Sequence, residues 1–174
     1  MKLSGEAKQQ LIKQLSRSFD KESHASALVS GILRSCKDEI ELSGIMERAT
    51  KVVESVRARG VSSFFAAEYG KLFSDPQTAM ATRERLMAVF EMNHSLPPKR
   101  AAKLADCIVF CAAKKQDEQA IGRLSRLCSD ALTAGFPFNI IADGVYYNAP
   151  DISKESFFQK VAQACVEKNV SMTK

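Results

Sequence analysis

The apolar residues of this chain recur three and four positions apart along most of its length and nowhere alternate convincingly, and that periodicity restricts the fold more than any other feature. The stretches "AKQQLIKQLSRSF" (7–19), "HASALVSGILRSC" (24–36) and "GIMERATKVVESVRARG" (44–60) each carry it. Period 3.6 without period 2 predicts an all-α, multi-helical protein. With 174 residues and 45% hydrophobic content, such a chain can bury a core as one domain or two small lobes without disulfide support.

Local signals place the helix ends. Gly60 stops the third stretch as a C-terminal cap. In "SDPQTAMATRERLMAVFEM" (74–92), Asp75 before Pro76 joins a capping carboxylate to a proline at the first helical position. "SSFFAAEYGKLF" (62–73) is a further helix, "DEQAIGRLSRLCSDALTAG" (117–135) runs from Asp117 to Gly135, and Ser153 caps "SKESFFQKVAQACVEKN" (153–169). "FPFNIIADGVYYNAP" (136–150) fits either a short helix or an irregular turn. "NHSLPP" (93–98) holds the proline pair and suggests two lobes, 1–92 and 93–174, joined near it; the alternative is a tight corner inside one bundle. No self-similar repeat period is visible.

"NHSLPPKRAAKLADCIVFCAAKK" (93–115) concentrates a histidine, two prolines, cations and two cysteines. From Pro98, residues Leu104, Cys107, Ile108 and Cys111 fall at i, i+3, i+4 and i+7, one apolar helix face widened by Val109 and Phe110. Zinc needs further ligands than this pair, His94 is the sole histidine nearby and His24 is remote, so core packing is expected, with no metal and no cofactor. Five cysteines, an odd number without scaffold spacing, fit a reducing compartment. The amino-terminal residues form no apolar signal core and the longest apolar stretch is broken by Asp106; an intracellular protein with no membrane partner is expected.

Charge points outward. Lys and Arg exceed Asp and Glu by 25 to 20, a net +5, with a pI near 9.0, which favours an anionic partner. The excess is divided between the halves, 14 cations to 11 anions over 1–90 and 11 to 9 over 91–174, so no basic tail exists. Lys99, Arg100 and Lys103 occupy the first turns after Pro98, where the helix dipole disfavours cations and where free N–H groups and three cations would converge on a phosphate. Lys13, Arg17 and Lys21, spaced i, i+4 and i+8, are read as a stripe along one helix, and Arg123 and Arg126 as a pair at i, i+3. Arg57 and Arg59 read as dipole partners at a helix end. Each cluster is also consistent with a solvated face.

A catalytic reading finds no glycine-rich phosphate loop, no H-E-x-x-H and no G-x-S-x-G, and two histidines 70 positions apart do not suggest a nucleophile with its base. The expectation is that the chain is not an enzyme. Of the doubled aromatics Phe64/Phe65, Tyr146/Tyr147 and Phe157/Phe158, one ring of each pair is expected in the core, because adjacent helical residues point about 100° apart.

The order of helices, the central "NHSLPPKRAAKLADCIVF", the segment "SVRARGVSSFF" and the closing "GFPFNIIADGVYYNAP" together resemble the small RNA-silencing suppressors of closteroviruses, the beet yellows type, over most of the chain. The resemblance implies an all-helical viral protein of two lobes that self-associates head to tail into a ring. It also implies that a basic inner surface binds RNA with little sequence preference in the host cytoplasm. Suppression would then act by sequestering small duplexes, and longer RNA, through backbone contacts. The resemblance carries no residue assignments, so the RNA-binding candidates are the cations named above. A helical adaptor or chaperone that grips a protein partner through apolar grooves is the competing expectation.

Overall fold

The computed structural model describes residues 1–169; residues 170–174, the end of the expected second lobe, lie outside them. Among the described residues are nine α-helices and no strand. They are α1 (Gly5–Leu15), α2 (Glu22–Ser35), α3 (Glu39–Ala58), α4 (Ser63–Leu72), α5 (Pro76–His94), α6 (Pro98–Ala113), α7 (Ala120–Thr133), α8 (Phe138–Tyr147) and α9 (Lys154–Glu167). The all-α expectation holds.

Side chains seal the helix starts as the sequence suggests. The Asp38 carboxylate accepts from the Glu41 N–H at 2.8 Å and the Ser153 hydroxyl from the Ser156 N–H at 3.1 Å. Asp75 accepts from the Thr78 N–H at 3.0 Å and the Thr78 hydroxyl at 2.7 Å. At the end of α3, Val61 N–H reaches Val56 O at 3.2 Å and Gly60 N–H reaches Arg57 O at 3.0 Å. Those two bonds require the left-handed φ of 92° at Gly60, and they bring buried Val61 back to buried Val56. The same pair of bonds closes α7 through Gly135 and Phe136.

Two segments depart from the periodicity. The helix expected over 7–19 stops at Leu15 and continues as a single 3₁₀ turn, Ser16–Ser18. There the Ser16 hydroxyl takes the Ile12 carbonyl at 2.7 Å, and Phe19 turns extended as it enters the core. The ambiguous 136–150 stretch contains a true helix, α8, with Pro137 before its first residue.

The chain divides into two compact units, Met1–Ala81 and Thr82–Lys174, so the division falls inside α5 and the Pro97–Pro98 corner is internal to the second unit. A boundary read from proline alone lands later because proline marks where a helix must stop, and compactness depends on which turns share a core. In the first unit α4 is the central element, packed between α2 and α3, with α1 laid on α2. Small residues make this possible: Ala66 and Ala67 are buried, and a Cβ at Gly70 would meet Val53 at 3.0 Å and Leu28 at 3.1 Å. In the second unit α6 is central, against α7 and α8, with α9 on α8.

The expected face of α6, Leu104, Cys107, Ile108 and Cys111, is buried, yet so are Ala101, Ala105, Asp106, Val109 and Ala112. The helix is enclosed well beyond a single face, and its alanines allow that. Asp106 is tolerated inside because the Arg83 Nε of α5 donates to its carboxylate at 3.0 Å.

Candidate nucleic-acid interface

Pro97 caps α6 and Pro98 begins it, neither offering an N–H, and Lys99 and Arg100 follow in the first turn. The Arg100 and Ala101 N–H groups both turn back to Pro97 O at 3.0 Å, which leaves the Lys99 amide outward. The expected convergence of several free N–H groups is therefore absent, because the proline pair that starts the helix also removes its donors. The three cations do stand exposed. Arg100 lies over the Phe138 ring at the start of α8, its guanidinium carbon 5.4 Å from the ring centroid. Lys99 and Lys103, one turn apart, have no ion-pair partner among the described residues and remain as the uncompensated charge of this helix end.

The other cations sort by what holds them. Arg123 does not form a binding pair with Arg126: its guanidinium donates to Ile152 O at 2.6 Å and fixes the turn before α9, while Arg126 stays exposed on α7. Lys13, Arg17 and Lys21 do not share one helix, since they fall on α1, the 3₁₀ turn and the residue capping α2. All three are exposed. Arg57 reaches across to Ser18 O at 2.7 Å and Asp20 at 2.8 Å, tying the end of α3 to that 3₁₀ turn. Lys115, Lys154 and Lys168 pair with Asp151, Asp130 and Asp143 at 2.9, 2.9 and 3.2 Å. Lys114 sits on the end of α8, donating to the Tyr146 and Asn148 carbonyls.

All five cysteines are free and buried. Burial, with the Asp106 carboxylate adding to it, pushes the Cys107 thiol up to about 12. Burial likewise raises Cys111 to about 11 and Cys128 well above its ordinary value. No group of three or more His, Cys, Asp or Glu is placed to hold a metal ion among the described residues. His24 does meet a hydroxyl, that of Ser63, which the sequence does not foretell. Ser63 is 1% exposed and also accepts from the Asp20 N–H at 3.1 Å, so this pair ties the start of α4 to the segment leading into α2.

The doubled aromatics behave differently from one another. Phe157 is fully buried beside half-buried Phe158 as expected, but neither Phe64 nor Phe65 is buried, and Tyr147 is 76% exposed next to half-buried Tyr146. Tyr146 stacks flat on Phe110 with centroids 4.4 Å apart, which leaves it at the surface.

Two concavities of the first unit escape any linear reading. One, about 520 Å³, is lined by Lys2, Lys8 and Arg34 with no carboxylate among its walls. The other, about 540 Å³ between α1 and α3, is lined by Leu11, Leu15, Leu42 and Met46 together with Glu39, Glu54 and Glu47, the last paired with Lys51 at 3.3 Å. Their residues come from separated segments, so no window along the chain shows either. No helix of the described residues is long and apolar enough to cross a membrane. No family model, curated protein or solved structure matches the chain.

Proposed function

We propose that this chain binds RNA through its phosphate backbone with little sequence preference, holding small duplexes and longer RNA away from the silencing machinery in the host cytoplasm. This is the role implied by its resemblance to the closterovirus suppressors. The observation that carries the reading is the pair Lys99 and Lys103. They stay exposed and unpaired at the positive end of α6, while many cations elsewhere are engaged by carboxylates or carbonyls. Charge held against a helix dipole gains a purpose when a phosphate neutralises it. Exposed Lys13, Arg17, Lys21 and Arg126 supply further backbone contacts. The test is binding of short RNA duplexes of unrelated sequence over a range of salt. Equal affinities that fall steeply with ionic strength are expected, and salt-independent or absent binding would end the RNA reading.

A second reading has its own observation. The apolar groove between α1 and α3, lined also by Glu39, Glu54 and the Glu47–Lys51 ion pair, has the chemistry to seat an amphipathic helix of a protein partner with basic residues toward Glu39 and Glu54. An adaptor of that kind would bind such a helix and ignore RNA.

A further inference from the structure

We propose that the basic concavity of the first unit is a site for the terminal phosphate of a nucleic-acid strand, held by Lys2, Lys8 and Arg34; this deepens the RNA reading and rests on it. The concavity measures about 520 Å³, and Met1, Leu3, Ser30 and Leu33 complete its walls. Lys8 sets it apart. Other cations withdrawn from solvent in the described residues are matched: Lys71 to Glu68 at 2.9 Å, Arg83 to Asp106 at 3.0 Å, Arg57 to Asp20 at 2.8 Å and Arg123 to the Ile152 carbonyl at 2.6 Å. Lys8 is half-buried on α1 with no ion pair or side-chain hydrogen bond, and it faces a concavity shared with two more cations and no acid. These three side-chain cations, with the Met1 ammonium beside them donating to Leu33 O at 3.1 Å, repel one another unless an anion enters.

The shape of the site selects the anion. A phosphodiester inside a strand is flanked by nucleotides on both sides and is met by ridges and exposed stripes, such as Lys99 and Lys103. A strand end can enter a hollow. A terminal monoester brings a charge of about −1.5 to −2 and three acceptor oxygens, where a diester brings a single charge. Lys2, Lys8 and Arg34 can meet those oxygens directly, with the Ser30 hydroxyl as a further donor on the wall.

The experiment uses the full chain and one short RNA duplex prepared with hydroxyl ends, with 5′-phosphates, or with 3′-phosphates. The expected result is about tenfold tighter binding of one phosphorylated form over the hydroxyl form at pH 7.5, the worth of one charge-assisted contact. The preference should shrink as pH falls below about 6, where the monoester dianion takes up a proton and becomes a monoanion. Lys8→Gln with Arg34→Gln should abolish the preference while the hydroxyl-ended duplex still binds, and circular dichroism should show the helices intact. Equal binding of all three duplexes by the native protein overturns the terminal-phosphate site and leaves the RNA reading standing. A preference that survives in the double variant also overturns the assignment. Binding of none of the duplexes overturns the RNA reading itself.

Discussion

Arg83 and Asp106 show how a single residue gains meaning from its partner. In the sequence, Asp106 interrupts an apolar stretch and Arg83 is an ordinary helical cation; in the fold they are a buried pair between α5 and α6 at 3.0 Å. Asp106→Ala leaves Arg83 charged inside the unit and should cost about 3–5 kcal/mol in denaturant unfolding, while Arg83→Met with Asp106→Leu should recover most of it. Equal loss in the single and double variants would show that burial of the pair is not what matters. The pairing was illegible because periodicity describes one helix at a time, and this contact joins two. The cysteines were legible for the opposite reason: their burial follows from their own helix face. Replacing Cys107 and Cys111 by Ala should destabilise the fold, on the order of 1 kcal/mol each. Their titration has a definite sign. The folded thiols are raised to about 12 and about 11, above the unfolded value, so the unfolded chain loses protons first and stability should fall as pH rises beyond about 9. Unfolding midpoints measured from neutral to alkaline pH should show this decline and show less of it in the double variant; a flat profile in the native protein would refute it.

Helices begin and end on chemistry confined to a few adjacent residues, and this made the element scale the most readable. Asp75 and Ser153 cap where expected. Gly60 is the clearest case: with φ at 92° and open space where a Cβ would go, its role is purely conformational. Gly60→Ala should therefore cost about 1–2 kcal/mol with no steric component, whereas the same change at a right-handed exposed glycine, Gly122, should raise stability by up to about 1 kcal/mol. Comparable effects at both sites in thermal melts would contradict the capping argument. Elements became unreadable where tertiary forces took over. The helix expected through Phe19 breaks because Phe19 belongs to the core, and Arg57 then binds the broken segment through Ser18 and Asp20. That break also separates Lys13, Arg17 and Lys21, which share a stripe only on an ideal helix. At α6 the cations were visible in the sequence and the missing donors were as well, since proline carries no N–H; what could not be read was that Arg100 is drawn over Phe138.

For the whole molecule the governing quantity is the modest net charge of +5, too small for one subunit to grip a polyanion tightly. The closed head-to-tail assembly that the resemblance implies would solve this without new chemistry, presenting the same lysines many times to one RNA and raising the effective concentration of each contact. This makes the RNA reading and the assembly reading testable together. Lys99→Gln with Lys103→Gln removes two exposed, unpaired charges and relieves their conflict with the α6 dipole, so stability should hold or rise slightly. If a monomer binds RNA, losing both contacts flattens the log–log salt slope by at most about 1.4–1.8. If a duplex touches several subunits of a ring, the loss is multiplied by the number touched, and the slope should change by clearly more than that, whatever the RNA sequence. Light scattering at the same protein concentrations should give a homo-oligomer larger than a dimer for both proteins. A monomeric mass with a slope change within the single-subunit limit would retain RNA binding and remove the ring. An unchanged slope would instead take Lys99 and Lys103 off the RNA and move the search to the exposed cations of the first unit.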